Sequence, residues 1–296
     1  MLSMILNQIS KPVNQIIKFL LLIITFSIIS CSDDTKKTAD EYPGTIVDLG
    51  THKLMTYSVL KNSKYLVVFE SGHGNDHTSW YSTGKSSEIL TISNTLNSDV
   101  LLYDRAGYGK SEFNTEPRNI NRLTAELEKV IDNFSNGRKV ILVGHSLGGM
   151  IIRDYAIKNP EKVCGLLFID ASHEKYNHLT QNQVDTFYNS YKKTYGANSG
   201  IAQETLQLIS DYNYMATLPN LPNVPVIAVT SMKIDAEHNT ADRQLWFDSK
   251  ESLKTGVTDF TQITTVKSGH FIQLEEPELV LNSIKVLLSK AQLLNP

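Results

Sequence analysis

Most constraining for the fold is a series of short apolar runs without polar alternation, separated by longer stretches of helical pattern. Tyr65 to Phe69 (YLVVF), Val100 to Tyr103 (VLLY), Lys139 to Val143 (KVILV), Gly165 to Ile169 (GLLFI), Pro225 to Thr230 (PVIAVT) and Thr261 to Val266 read as strands. Most are apolar throughout, as expected of a parallel sheet buried on both faces. Thr45 to Leu49 and Lys53 to Val59, with a turn at Gly50 to His52, read as an opening pair. Between the runs, Leu123, Leu127, Val130, Ile131 and Phe134 recur at helical steps before Gly137, and Met150 to Asn159 stops at Pro160. Pro277 suits a first helical position ahead of Val280, Leu281, Ile284, Leu287 and Leu288. Strand, helix, strand in repetition implies right-handed crossovers and a doubly wound α/β sheet.

The chain has 296 residues, enough for one α/β domain with an insertion. One connection breaks the rhythm. Residues 171–223 separate two strands and hold six of the thirteen tyrosines, Tyr176, Tyr188, Tyr191, Tyr195, Tyr212 and Tyr214. A structureless loop of that length is unusual in a compact domain, so a small helical cap is expected there.

Charge and histidine pattern narrow the chemistry. The net charge is -3, with no basic run to neutralise a row of phosphates, which argues against a nucleic-acid partner. There is no Cys-x-x-Cys and no His-Glu-x-x-His, and the eight histidines are scattered, so no metal-ligand spacing stands out.

The chemistry-bearing stretch is Val143 to Met150 (VGHSLGGM), in which Ser146 sits between Gly144 and Gly148 directly after an apolar run and before a helical one. A glycine bend with an idle serine is the plain reading of five residues alone. With a strand before and a helix after, however, the pattern resembles the nucleophile elbow of the α/β-hydrolase fold, and the likeness extends over nearly all of 42–296. Val100 to Ser111 (VLLYDRAGYGKS) is a second match to that family. The resemblance implies an eight-stranded, mostly parallel sheet with a cap after the sixth strand, Ser146 as nucleophile, and His270 in Ser268-Gly269-His270-Phe271 as base. It also implies two oxyanion donors, the backbone N–H of Leu147 and that of His73 in the loop after the third strand. Relatives carry a tryptophan eight residues past the loop glycine, and Gly72 stands eight before Trp80, while Ser71 replaces the usual histidine.

The acid has two candidates. Asp170 ends the sixth strand, and Asp235 lies in the loop after the seventh, one residue further from its strand than the family pattern. Asp170 is favoured and Asp235 stays open. Asp104 precedes the serine, whereas this fold orders serine, acid, histidine, so Asp104 and Arg105 read as structural. A serine at the elbow sets the chain apart from the epoxide hydrolases and dehalogenases of the fold, which use aspartate there. The expected function is acyl transfer to water through an acyl-enzyme, on a carboxylic ester first and an amide or peptide second, with no metal or organic cofactor. A binding protein that keeps the fold without turnover is the alternative from another class.

The N-terminus carries a separate expectation. Residues 1–30 hold Lys11 and Lys18 but no acid, and Phe19 to Ile29 is an unbroken, mostly large apolar run. Eleven helical residues span roughly 16 Å, about half a bilayer core, which suits a signal peptide and not a spanning helix. Ile28-Ile29-Ser30-Cys31 resembles the lipobox of bacterial lipoproteins, which implies lipidation of Cys31, a polar tether over 31–41 and anchorage to the outer membrane. The following Ser32-Asp33-Asp34 resembles an export signal to the cell surface. With Cys31 acylated, only Cys164 remains, and it reads as a buried small hydrophobe.

Overall fold

In the computed structural model, the structure describes residues 42–294 apart from 114, 177, 178 and 237. The expected signal peptide, Cys31 and the tether over 31–41 lie outside the described residues. Eight strands form one sheet in the order β1-β2-β4-β3-β5-β6-β7-β8. They are β1 (Thr45–Asp48), β2 (Lys53–Val59), β3 (Leu66–Glu70), β4 (Asp99–Tyr103), β5 (Val140–His145), β6 (Val163–Ile169), β7 (Val226–Ser231) and β8 (Phe260–Thr265). β2 pairs antiparallel with β1 and with β4, and every later pairing is parallel.

The unbroken apolar runs follow from burial on both faces. In β3, Leu66 and Val68 enter one hydrophobic cluster, while Val67 and Phe69 enter the other. Strand β8 differs among the later strands: it is one of the two sheet edges, only partly buried, and its sequence FTQITT is correspondingly polar.

Helices connect the strands. They are α1 (Glu88–Leu96), α2 (Ile120–Ser135), α3 (Leu147–Lys158), α4 (Gln181–Tyr195), α5 (Gly200–Thr205), α6 (Leu208–Met215), α7 (Thr240–Glu251), α8 (Ile272–Glu275) and α9 (Pro277–Leu294). On α2 the expected stripe is buried, from Leu123 through Leu127 and Val130 to Ile131. That helix begins on an Asn119 cap, whose side chain accepts from Arg122 N–H at 3.0 Å, and ends at Asn136 in the left-handed region.

Between β6 and β7 lie α4, α5 and α6, in the stretch where the sequence pointed to helical structure. Phe187, Tyr191, Ile201 and Ala202 pack with Tyr108, from the loop after β4, into a small separate apolar cluster. Burial of a side chain the size of Phe187 contributes about 2 kcal/mol, which ties α4 and α5 to the β4 loop. Helices α1, α7 and the short α8 are additions to the pattern read from the sequence. α7 has a polar surface and a weak apolar stripe, but its start is marked by reciprocal hydrogen bonds between Asn239 and Asp242.

Candidate active site

Strand β5 runs into Ser146, and α3 starts at the next residue. Ser146 has φ 52° and ψ -121°, a conformation that costs a non-glycine residue about 1–3 kcal/mol and persists only where the surroundings enforce it. Here they do. Ser146 N–H donates to the Ile169 carbonyl at 3.2 Å, and Ser172 N–H donates to the Ser146 carbonyl at 2.9 Å, so the end of β6 clamps the turn. A Cβ at Gly144 would lie 2.7 Å from the Gly148 carbonyl oxygen, and one at Gly148 would collide with the Glu70 carbonyl. Close backbone approach explains both glycines. The Ser146 hydroxyl lies 3.5 Å from that of Ser172.

The structure brings Asp170 and His270 together. His270 follows β8, and its Nδ1 lies 2.8 Å from Asp170 Oδ2. The two residues are both buried. Asp170 directly follows β6, with φ 39°. Its Oδ1 accepts from Ser231 N–H at 3.0 Å and from Trp246 Nε1–H at 2.6 Å. Burial pushes the Asp170 carboxyl up, but the hydrogen bond and charge of His270, the Lys250 ammonium and the Trp246 indole outweigh it and hold the group at about 2. The aspartate is thus the ionised partner of the imidazole. Beside the elbow, His145 Nε2–H donates to the His270 carbonyl at 2.9 Å, and the two rings are 4.6 Å apart. Burial and then the His270 charge push the His145 imidazole down to about 3, so His145 is neutral and serves as a strut between the elbow and the His270 backbone.

Asp235 is engaged elsewhere. Its Oδ1 accepts from His238 N–H at 2.8 Å and meets His238 Nδ1 at 2.9 Å, and its Oδ2 lies 3.4 Å from Arg243 Nη2.

On the other side of Ser146 is the loop after β3. A Cβ at Gly72 would come within 2.9 Å of His145 Nδ1 and 3.1 Å of Ser146 Cβ, so only glycine lets this loop approach the elbow. Trp80 Nε1–H donates to Ser71 Oγ at 3.0 Å, which accounts physically for the Trp80 spacing and for the serine at that position. The His73 imidazole turns away to α5, its Nε2 lying 3.1 Å from the Ile201 carbonyl and 3.0 Å from Thr205 Oγ1. Among the described residues the His73 N–H has no acceptor, while Leu147 N–H lies in the first turn of α3, where amides lack intrahelical partners. The helix dipole adds positive character at Leu147.

Asp104 and Arg105, read as structural from the chain order, make contacts far beyond their own turn. Asp104 Oδ1 accepts from His77 N–H at 3.0 Å and meets His77 Nδ1 at 2.7 Å, while Oδ2 accepts from Lys110 N–H at 3.1 Å. Arg105 is buried and contacts Glu70, the carbonyls of Ser71 and Gly72, and Glu204 on α5. Burial raises Glu70 to about 7 despite the opposing Arg105 charge and the Tyr103 hydroxyl that donates to it.

Two residues near Asp170 escaped the sequence reading. Trp246 and Lys250 lie one turn apart on α7, with Lys250 Nζ 3.0 Å from the centre of the indole ring. Burial pushes the Lys250 ammonium far down, against the Asp170 charge that favours it. The only signal in the sequence was the helix start at Asn239 and Asp242. Among the described residues one group brings metal-ligating atoms together, Asp76, His77 and Asp104, all within 4.8 Å of one another. Its oxygens already serve His77 and the Thr78 amide, the latter at 2.9 Å from Asp76 Oδ1.

The sheet order and the strained serine at the β5–α3 turn define the α/β-hydrolase fold. A profile of that fold family matches residues 65–207. The chain is 30% identical over 129 residues to the mitochondrial palmitoyl-protein thioesterase ABHD10 of Pongo abelii, a match over 42% of this chain and 40% of that protein's length. Among solved structures, the epoxide hydrolase VrEH1 of Vigna radiata superposes with a TM-score of 0.64 at 17% identity, covering 86% of this chain and all of that one. A thermophilic esterase of Thermogutta terrifontis superposes with a TM-score of 0.60 at 15% identity, covering 84% of this chain and 99% of that one. The chain therefore has the α/β-hydrolase fold, and it spans under half the length of the curated thioesterase it matches.

Proposed function

We propose that the chain is a serine hydrolase that works through an acyl-enzyme, with a carboxylic ester of small or medium, partly apolar acyl group as its first substrate class. The observation that carries this reading is the buried Asp170–His270 pair at 2.8 Å beside a serine in a strained elbow. In this scheme His270 Nε2 takes the Ser146 proton as Oγ adds to the ester carbonyl, and Asp170 stabilises the imidazolium that forms. The N–H groups of Leu147 and His73 hold the oxyanion. Collapse breaks the bond to the leaving alcohol, which departs with the His270 proton. Water then adds to the acyl-enzyme, gives its proton to His270, and the acid is released as Ser146 Oγ takes that proton back.

The phenol-rich stretch between β6 and β7 favours an apolar or aryl acyl group, and the thioesterase name of the relative makes an acyl thioester the second class to assay. Turnover of p-nitrophenyl acetate and butyrate by the wild-type protein, with Ser146→Ala alongside, tests the reading. Equal rates for the two proteins contradict it and leave a binding protein of the same fold.

The proposal extends to location. Lipidation of Cys31 in Ser30-Cys31-Ser32 would hold the enzyme on the outer membrane, and among the described residues no helix is long and apolar enough to cross a membrane. Metabolic labelling with a radioactive fatty acid, lost in Cys31→Ala, is the expected result. Undiminished labelling of that variant contradicts the anchor.

A further inference from the structure

We infer that Glu204, on α5 between β6 and β7, is a positioning residue for the oxyanion site, so that this inserted helix helps to assemble the catalytic geometry. The inference rests on the serine-hydrolase reading above. Its basis is the way Arg105 spends its five N–H groups. Nε and Nη2 grip Glu204 Oε1 and Oε2 at 2.7 and 3.0 Å. Nη1 reaches Glu70 Oε1 at 2.9 Å and the Ser71 carbonyl at 2.7 Å, and Nη2 also reaches the Gly72 carbonyl at 3.0 Å. A guanidinium is planar and rigid, so the bidentate carboxylate on one edge sets the direction of the donors on the other.

The Gly72 carbonyl shares its peptide plane with the His73 N–H, and in a trans peptide the two point in opposite directions. Holding the carbonyl on Arg105 therefore aims the His73 N–H to the opposite side, at a loop whose Gly72 Cα packs against His145 and Ser146. A second tie runs in parallel: Tyr108 donates its hydroxyl to Glu204 Oε2 at 2.7 Å and accepts from Gly74 N–H at 3.1 Å. The His73 ring on Ile201 and Thr205 of the same helix makes a third. All of Glu70, Arg105 and Glu204 are buried, so water does not substitute for a lost partner.

Glu204→Gln keeps the shape and one acceptor but removes the charge that orients Arg105. Its effect is read as kcat, KM, inhibition by an alkyl boronic acid that mimics the tetrahedral state, and the thermal midpoint. The expected result is a loss of roughly 10- to 100-fold in kcat, with KM within about twofold and boronate affinity falling in parallel. Tyr108→Phe, a milder change at the same node, should show the same split with a smaller loss. It serves if Glu204→Gln does not fold. Wild-type kcat and boronate affinity in the variant that folds would overturn the inference while the serine-hydrolase reading stands. A fall in kcat without a fall in boronate affinity would overturn it too. Absence of turnover and of fluorophosphonate labelling in the wild type would instead remove the reading on which it rests.

Discussion

Trp246 Nε1–H donates to Asp170 Oδ1 at 2.6 Å, on the carboxylate whose other oxygen holds His270. The indole thus fixes the rotation of the carboxylate and supports its ionised state. Trp246→Phe keeps most of the buried ring but removes the donor, and kcat is expected to fall about 10-fold, the rate equivalent of one net hydrogen bond of about 1.4 kcal/mol. Steady-state kinetics beside a circular dichroism spectrum checks this. Unchanged kcat would show that Ser231 N–H and His270 suffice to orient the acid.

The two candidate acids separate by substitution. Asp170→Asn should lower kcat by about 10⁴-fold, because the amide favours the wrong imidazole tautomer and offers no charge to the imidazolium. Asp235→Asn should leave the rate within a few-fold of wild type and show itself in stability, since its partners are His238 and Arg243. A rate loss confined to Asp235→Asn would reverse the assignment.

The elbow glycines make a prediction about folding. A methyl group at Gly148 meets the Glu70 carbonyl, which belongs to a central strand and has no room to retreat. Gly148→Ala is expected to lose about 3 kcal/mol or more of stability, measured by urea denaturation. A loss under about 1 kcal/mol would mean that the turn relaxes more easily than its packing implies.

Asp211 supplies a pH signature. Its Oδ1 accepts from Ile120 N–H at 2.9 Å at the start of α2, and burial raises the carboxyl to about 7, with Glu204 and Asp154 adding to the rise against the Ile120 hydrogen bond. The unfolded chain loses this proton near pH 4 and the folded chain near pH 7, so between those values the folded state binds more protons and stability falls as pH rises. Asn keeps the acceptor and carries no charge. Asp211→Asn should match the wild type near pH 4 and exceed it by about 4 kcal/mol near pH 8, by denaturant titration at both values. An equal gap at the two values contradicts the account.

Much of this was legible in the sequence, for reasons that can be assigned to residues. Central strands such as β3 and β5 are apolar on both faces because Leu66 and Val67 enter different cores, and Pro277 and Gly137 mark helix ends through backbone geometry. The elbow showed itself through Gly144 and Gly148, whose absent side chains are a local need. What stayed hidden depends on long-range contact. Trp246 is 76 residues from Asp170, and Glu204 is 99 from Arg105, and neither has a spacing that announces its partner. Helix α7 lacked a strong apolar stripe, so Trp246 and Lys250 had no periodic frame to place them.

The central claim is that Ser146 is an activated nucleophile. Intact-mass and peptide mass spectrometry after reaction with a fluorophosphonate tests it most directly. The account predicts one adduct on the peptide containing Ser146 in the wild type, none in Ser146→Ala, and slow formation in His270→Ala. No adduct in the wild type, or an adduct that persists in Ser146→Ala, would contradict it.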